Sequence, residues 1–143
     1  MTAFRRKLLE IAPLIFKDSP VLFAYLHGSY ARGLSHAFSD LDVGIYVEGL
    51  DVRGSLDLEL SLALRIDEEL GHELQTDVRI LNNLPVAVTG NILLDAELIY
   101  SRDEDRRVVF ETWIRTSYFD FLPVIQQYRN SYLERVVHHS GIC

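Results

Sequence analysis

Residues 28–47 read GSYARGLSHAFSDLDVGIYV, and the second half of this stretch decides the fold. Asp40, Asp42, Gly44 and Tyr46 interleave with Leu41, Val43, Ile45 and Val47. A period of two is that of a strand with unlike faces, here one apolar and one carrying carboxylates. Just upstream, Val21 to Leu26 is almost wholly apolar and includes Phe23 and Tyr25, the pattern of a strand buried on both faces. It runs straight into Gly28-Ser29.

Working outward, Phe4, Leu8, Ile11, Ala12 and Ile15 recur at helical spacing, predicting a helix over Ala3 to Lys17 that Ser19-Pro20 ends. Downstream, Gly49 to Gly54 reads as a loop. Ser55 to Leu70 then places Leu56, Leu60, Leu64 and Leu62, Ile66, Leu70 at helical spacings, with Gly71 as the stop. Leu74 to Leu81 alternates again and carries a lone acid, Asp77. Pro85 to Leu94 reads as a short helix and Glu97 to Tyr100 as a closing strand. Ser101 to Glu104 has capping-box spacing, so a helix is expected to begin there. Pro123 lacks an amide hydrogen, which predicts a kink or restart over Asp120 to Pro123 and a last helix to about His138.

The 143 residues are enough for one core and too few for two, so a single domain over residues 1–143 is expected. Hydrophobic residues at 48% and charged residues at 24% are the balance of a globular chain. The longest apolar runs, such as Val86 to Val88, fall far short of the ~20 residues that cross a bilayer. The charged and Pro-broken N-terminus does not read as a secretory signal, and a cytoplasmic location is expected. The only cysteine, Cys143, excludes an internal disulfide and a thiolate metal site. A net charge of −7 repels a phosphate backbone, so nucleic acid is a poor partner.

Chemistry concentrates at three points: Gly28-Ser29 ending the first strand, Asp40 and Asp42 on the second, Asp77 on the third. Residues two apart on a strand share a face. Like charges ~4 Å apart repel by about 1 kcal/mol in water and about 4 kcal/mol at an effective dielectric of 20, a cost that a divalent cation relieves. All-oxygen ligands suit Mg²⁺ or Mn²⁺, and Mg²⁺ completes its shell with water and substrate phosphate. Gly28 lets backbone approach that phosphate, and Ser29 offers it an amide and a hydroxyl.

These residues resemble the DNA polymerase beta-like nucleotidyltransferases. The resemblance rests on Gly28-Ser29, ten intervening residues and Asp40-Leu41-Asp42, and extends to TDVRILNNLP at 76–85 and DFLPVIQQYRNSYLER at 120–135. The short chain is similar to the minimal nucleotidyltransferase (MNT) branch, many of whose members resemble the antitoxin half of HEPN/MNT toxin-antitoxin pairs. The resemblance implies an α+β fold, a small mixed β-sheet of about four strands with helices packed on it. It implies Mg-dependent transfer of AMP from ATP to a tyrosine of a HEPN ribonuclease toxin, the chain's protein partner. Asp40, Asp42 and Asp77 then hold metal, two ions in all, and take the catalytic roles; Gly28 and Ser29 bind the triphosphate. The core pattern uses residues up to about Tyr100, which leaves too little chain to build an acceptor cleft, so another molecule is expected to supply much of it.

Two other readings compete. The chain could neutralise its partner by binding alone, or transfer a nucleotide to a small hydroxylated molecule such as an aminoglycoside. Arg32 reads as a structural salt-bridge residue. His27, His36, His72, His138 and His139 lack zinc-site spacing and read as structural or surface. Tyr118, Phe121, Leu122, Ile125, Tyr128, Tyr132 and Val136 form a stripe that reads as core, part of it available to a partner. The charged run Asp103 to Arg107 reads as a solvated helix start.

Overall fold

The apolar run Val21 to Leu26 forms the heart of β1 (Val21–His27), whose side chains are buried from Val21 through Leu26. It is flanked on both sides. In the computed structural model, which describes residues 3–28 and 40–139, the remaining elements are α1 (Ala3–Phe16), β2 (Leu41–Val47), α2 (Val52–Glu69), β3 (Thr76–Ile80), α3 (Val86–Leu94), β4 (Glu97–Ser101) and α4 (Glu104–His139). The strands make one mixed sheet in the order β3-β2-β1-β4. β1 runs antiparallel to β2 and β4, while β2 and β3 are parallel and joined by the crossover helix α2. The α+β architecture with a four-stranded mixed sheet is the expected one.

Period-two patterning divides the sheet's side chains between two cores. Leu26, Leu41, Val43, Ile45, Val78 and Ile80 face α1 and α2, where Leu8, Ile15, Leu62 and Ile66 complete one apolar cluster. On the other face Phe23 and Tyr25 pack with Leu81, Leu93 of α3, and Phe110 and Ile114 of α4. Tyr46 stacks on Phe23 with ring centroids 4.6 Å apart. A register shift between Val21 and Phe23 lets the neighbours Leu22 and Phe23 both join this second core. Burial of this kind contributes about 1.5–3 kcal/mol per large apolar side chain.

Several element boundaries differ from the sequence reading. α2 begins at Val52, inside the expected loop, because Asp51 caps it: its carboxylate accepts the Gly54 amide at 2.7 Å. Of the two leucine stripes on α2, only Leu62, Ile66 and Leu70 are buried; Leu56, Leu60 and Leu64 face outward. The capping role falls to Asp103, which accepts the Arg106 amide at 3.1 Å, while Ser101 is the last residue of β4. The charged helix start is not wholly solvated, since Arg107 is part-buried and pairs with Glu104 and Glu111.

Of the expected kink or restart near Pro123, the restart does not occur. α4 runs as one helix of 36 residues with Pro123 inside it, ~54 Å at 1.5 Å per residue. The proline frees only the carbonyl of Phe119, and both residues are exposed, so solvent reaches it. Among the described side chains of the expected apolar stripe, only Tyr118 is fully in the core. Tyr118 is buried, Leu122 half-buried and Phe121 54% exposed. The side chains of Ile125, Tyr128, Tyr132 and Val136 lie outside the described residues. α3 meets α4 at Gly90, where a Cβ would lie 2.2 Å from Cδ2 of Tyr118. Only glycine allows that approach.

Candidate functional site

Three side chains line up across three strands on the face that α3 and α4 cover. His27 of β1 is in register with Asp42 of β2, and Asp42 is in register with Asp77 of β3. Registered partners share a face, so the two carboxylates meet at neighbouring positions of parallel strands. Their alternation partners, Leu41, Val43 and Val78, are buried in the opposite core and hold this orientation.

The carboxylates raise one another's cost. Asp42 is half-buried, and its carboxyl is held above the ordinary carboxylate value by burial first, then by the charges of Asp77 and Asp40, against a smaller opposing effect of Arg79. Asp40 is exposed and precedes β2, whose entry is marked by the Leu41 amide donating to the Gln75 carbonyl at 2.9 Å. Its charge reaches Asp42, but Asp40 does not line the pocket in front of the row.

That pocket encloses about 440 Å³ between the sheet and α3. Asp42, Asp77 and His27 form one wall, Ala87, Val88 and Ile92 of α3 another, with Asn91 among them. Gly28 closes the strand end with φ +75°, and a Cβ there would sit 2.3 Å from Oδ2 of Asp42. Ser29, Arg32 and His36 lie outside the described residues.

Among the described residues no three His, Cys, Asp or Glu side chains gather into a group able to hold a metal unaided. The donor set is nonetheless that of a hard cation shared with substrate. Mg²⁺ commonly takes one or two protein carboxylates and draws its remaining ligands from water and phosphate. Asp42 and Asp77 supply two, and their mutual repulsion favours a cation between them.

Three pocket residues had no marker in the sequence reading. His27, read there as structural or surface, lines the pocket, and its buried Nε2 has no hydrogen-bond partner among the described residues. Burial holds its imidazole below the ordinary histidine value, with Asp77 acting in the opposite sense. Arg79 could have been found from its period-two spacing to Asp77. Arg129, 50 positions beyond Arg79 in the chain, could not.

The family model described as "Polymerase beta, Nucleotidyltransferase" matches residues 10–105. A search of curated proteins by sequence returned no match. Among solved structures, the chain is similar to one in a toxin-antitoxin crystal structure with AMP-PNP, at 17% identity and a TM-score of 0.63, covering 92% of this chain and 98% of that one. It is similar to a chain in a complex of tri-AMPylated Shewanella oneidensis HEPN toxin with MNT antitoxin, at 14% identity and a TM-score of 0.61, covering 94% and 98%. A third similarity is to a chain of a MntA-HepT toxin-antitoxin structure, at 14% identity and a TM-score of 0.59, covering 93% and 98%. At these identities the likeness is one of fold.

Proposed function

Because the chain belongs to the polymerase beta nucleotidyltransferase family, we propose that it is a protein adenylyltransferase antitoxin that transfers AMP from ATP to a tyrosine of a HEPN toxin. The observation that carries the reading is the in-register pair Asp42 and Asp77 facing a pocket of nucleotide size. The similar folds found in complexes of AMPylated toxin and of AMP-PNP support the choice of acceptor and nucleotide.

Asp40, Asp42 and Asp77 would hold Mg²⁺. When bound, the metal supplies charge neutralisation for the triphosphate and for the pyrophosphate that leaves. The chain's own residues do the rest. Gly28 lets the strand end approach the phosphates without a side chain, and the neighbouring Ser29 adds an amide and a hydroxyl. Asp77 accepts the proton of the tyrosine hydroxyl as its oxygen bonds to the α-phosphorus. The bond from that phosphorus to the bridging oxygen breaks, and pyrophosphate departs with the electron pair. The α3 wall of Ala87, Val88 and Ile92 sets apolar surface beside the acids.

The test is incubation with ATP, Mg²⁺ and a cognate HEPN toxin, followed by intact mass measurement. Added steps of AMP mass on a tyrosine are expected. An unmodified partner at saturating ATP rejects catalysis, and a partner still neutralised by Asp40→Ala/Asp42→Ala assigns neutralisation to binding alone.

A further inference from the structure

Arg79 and Arg129 reach the acid pocket from different elements, one from β3 and the other from the far half of α4. Neither forms an ion pair or hydrogen bond with another described residue. Arg5, Arg106, Arg107 and Arg115, by contrast, pair with glutamates. Two guanidinium groups beside two carboxylates, with no ion pair among the described residues, leave both sets of charges available to a ligand that carries both kinds of partner.

We propose that Arg79 and Arg129 grip the non-bridging phosphate oxygens of the nucleoside triphosphate, as a second anchor apart from the Gly28 corner. The inference rests on the nucleotidyltransferase reading of the same pocket. Arg79 lies two residues beyond Asp77 on the same face of β3 and registers with Gly44, so its side chain follows the acid row along the pocket floor. Its charge acts on both Asp42 and His27. Arg129 approaches from the α4 side of the pocket. A planar guanidinium presents paired donors that match phosphate, and hydrogen bonds between charged groups are the strong ones.

An acidic stretch of the acceptor protein is the competing occupant. The chain's charge of −7 disfavours it, because a large anion meets that repulsion over its whole surface whereas a small metal-complexed anion does not.

Titration calorimetry with inorganic pyrophosphate, and with a non-hydrolysable ATP analogue, tests the assignment in EDTA and in Mg²⁺. Arg79→Ala and Arg129→Ala should each weaken both ligands about tenfold, with adenosine binding unchanged and Arg79→Lys recovering part of the loss. Both arginines are exposed, so the variants should melt with the parent; if Arg79→Ala unfolds, Arg79→Gln and Arg129→Ala carry the measurement. Pyrophosphate affinity equal to the parent's in Mg²⁺ overturns the proposal. So does intact phosphate affinity with a raised KM for the acceptor protein, which assigns the pair to the acceptor. A parent protein that binds no triphosphate under either condition rejects the nucleotidyltransferase reading itself, an outcome distinct from arginine-insensitive binding.

Discussion

Gly28 and Asp42 are packed so closely that a Cβ at position 28 would lie 2.3 Å from Oδ2 of the aspartate, and the glycine holds φ +75°. Backbone and carboxylate are therefore placed by each other. Gly28→Ala should cost about 1–2 kcal/mol from the left-handed conformation alone, and should push Asp42 out of its row. Denaturant melts read the first effect, and nucleotide transfer, expected to fall to background, reads the second. A variant that transfers nucleotide at the parent rate would show that the close approach has no part in the reaction.

Asp42 and Asp77 repel each other in the metal-free protein. Asp77→Asn should raise its melting temperature at neutral pH, remove the further rise that Mg²⁺ with a triphosphate confers on the parent, and lower kcat by about 10²–10⁴-fold through loss of the proton acceptor. Thermal melts with and without the ligands, beside a transfer assay, check all three. A lower metal-free melting temperature would contradict the electrostatic argument.

Gly90 keeps α3 against Tyr118. Replacing a helical glycine by alanine ordinarily favours the helix by about 1 kcal/mol. Here the added methyl would meet the Tyr118 ring at 2.2 Å, and overpacking costs about 1–3 kcal/mol. Gly90→Ala is expected to be destabilising on balance, and to weaken nucleotide binding by tilting the α3 wall. Chemical denaturation and nucleotide titration measure the two effects.

Asn82 fastens the end of β2, accepting the Val47 amide at 3.0 Å and donating to the Val47 carbonyl at 2.7 Å. Asn82→Ala leaves both groups of a buried residue without that partner and should cost about 1–3 kcal/mol. Asn82→Asp retains the acceptor and loses the donor, so it should recover only part of the loss in equilibrium unfolding.

The cap of α2 offers a smaller effect. Asp51→Ala removes the acceptor for the Gly54 amide and should cost about 1 kcal/mol, with Asp51→Asn recovering most of it. Since α2 carries the chain from β2 to β3, the same variant should leave nucleotide affinity unchanged if only the helix end frays.

Local patterning was enough to reveal much of this molecule. The alternation Leu41 to Val47 required one apolar and one carboxylate-bearing face, and the apolar run at Val21 required a central strand, because side-chain direction in a strand is set by backbone geometry alone. The Asp42 side of the site was legible for the same reason. What patterning could not supply was register and reach. That Asp42 stands beside Asp77 and His27 depends on how three strands align, which is settled by packing of Leu41, Val43 and Val78 in a shared core. The start of α2 was local too, since Asp51 caps an amide three residues on and the reading passed over it, but only tertiary context decided that α4 passes through Pro123 unbroken. That continuity carries Arg129 to a pocket made by residues far earlier in the chain. Short-range geometry repeats along a sequence and can be read there, whereas contacts between distant segments belong to the folded whole.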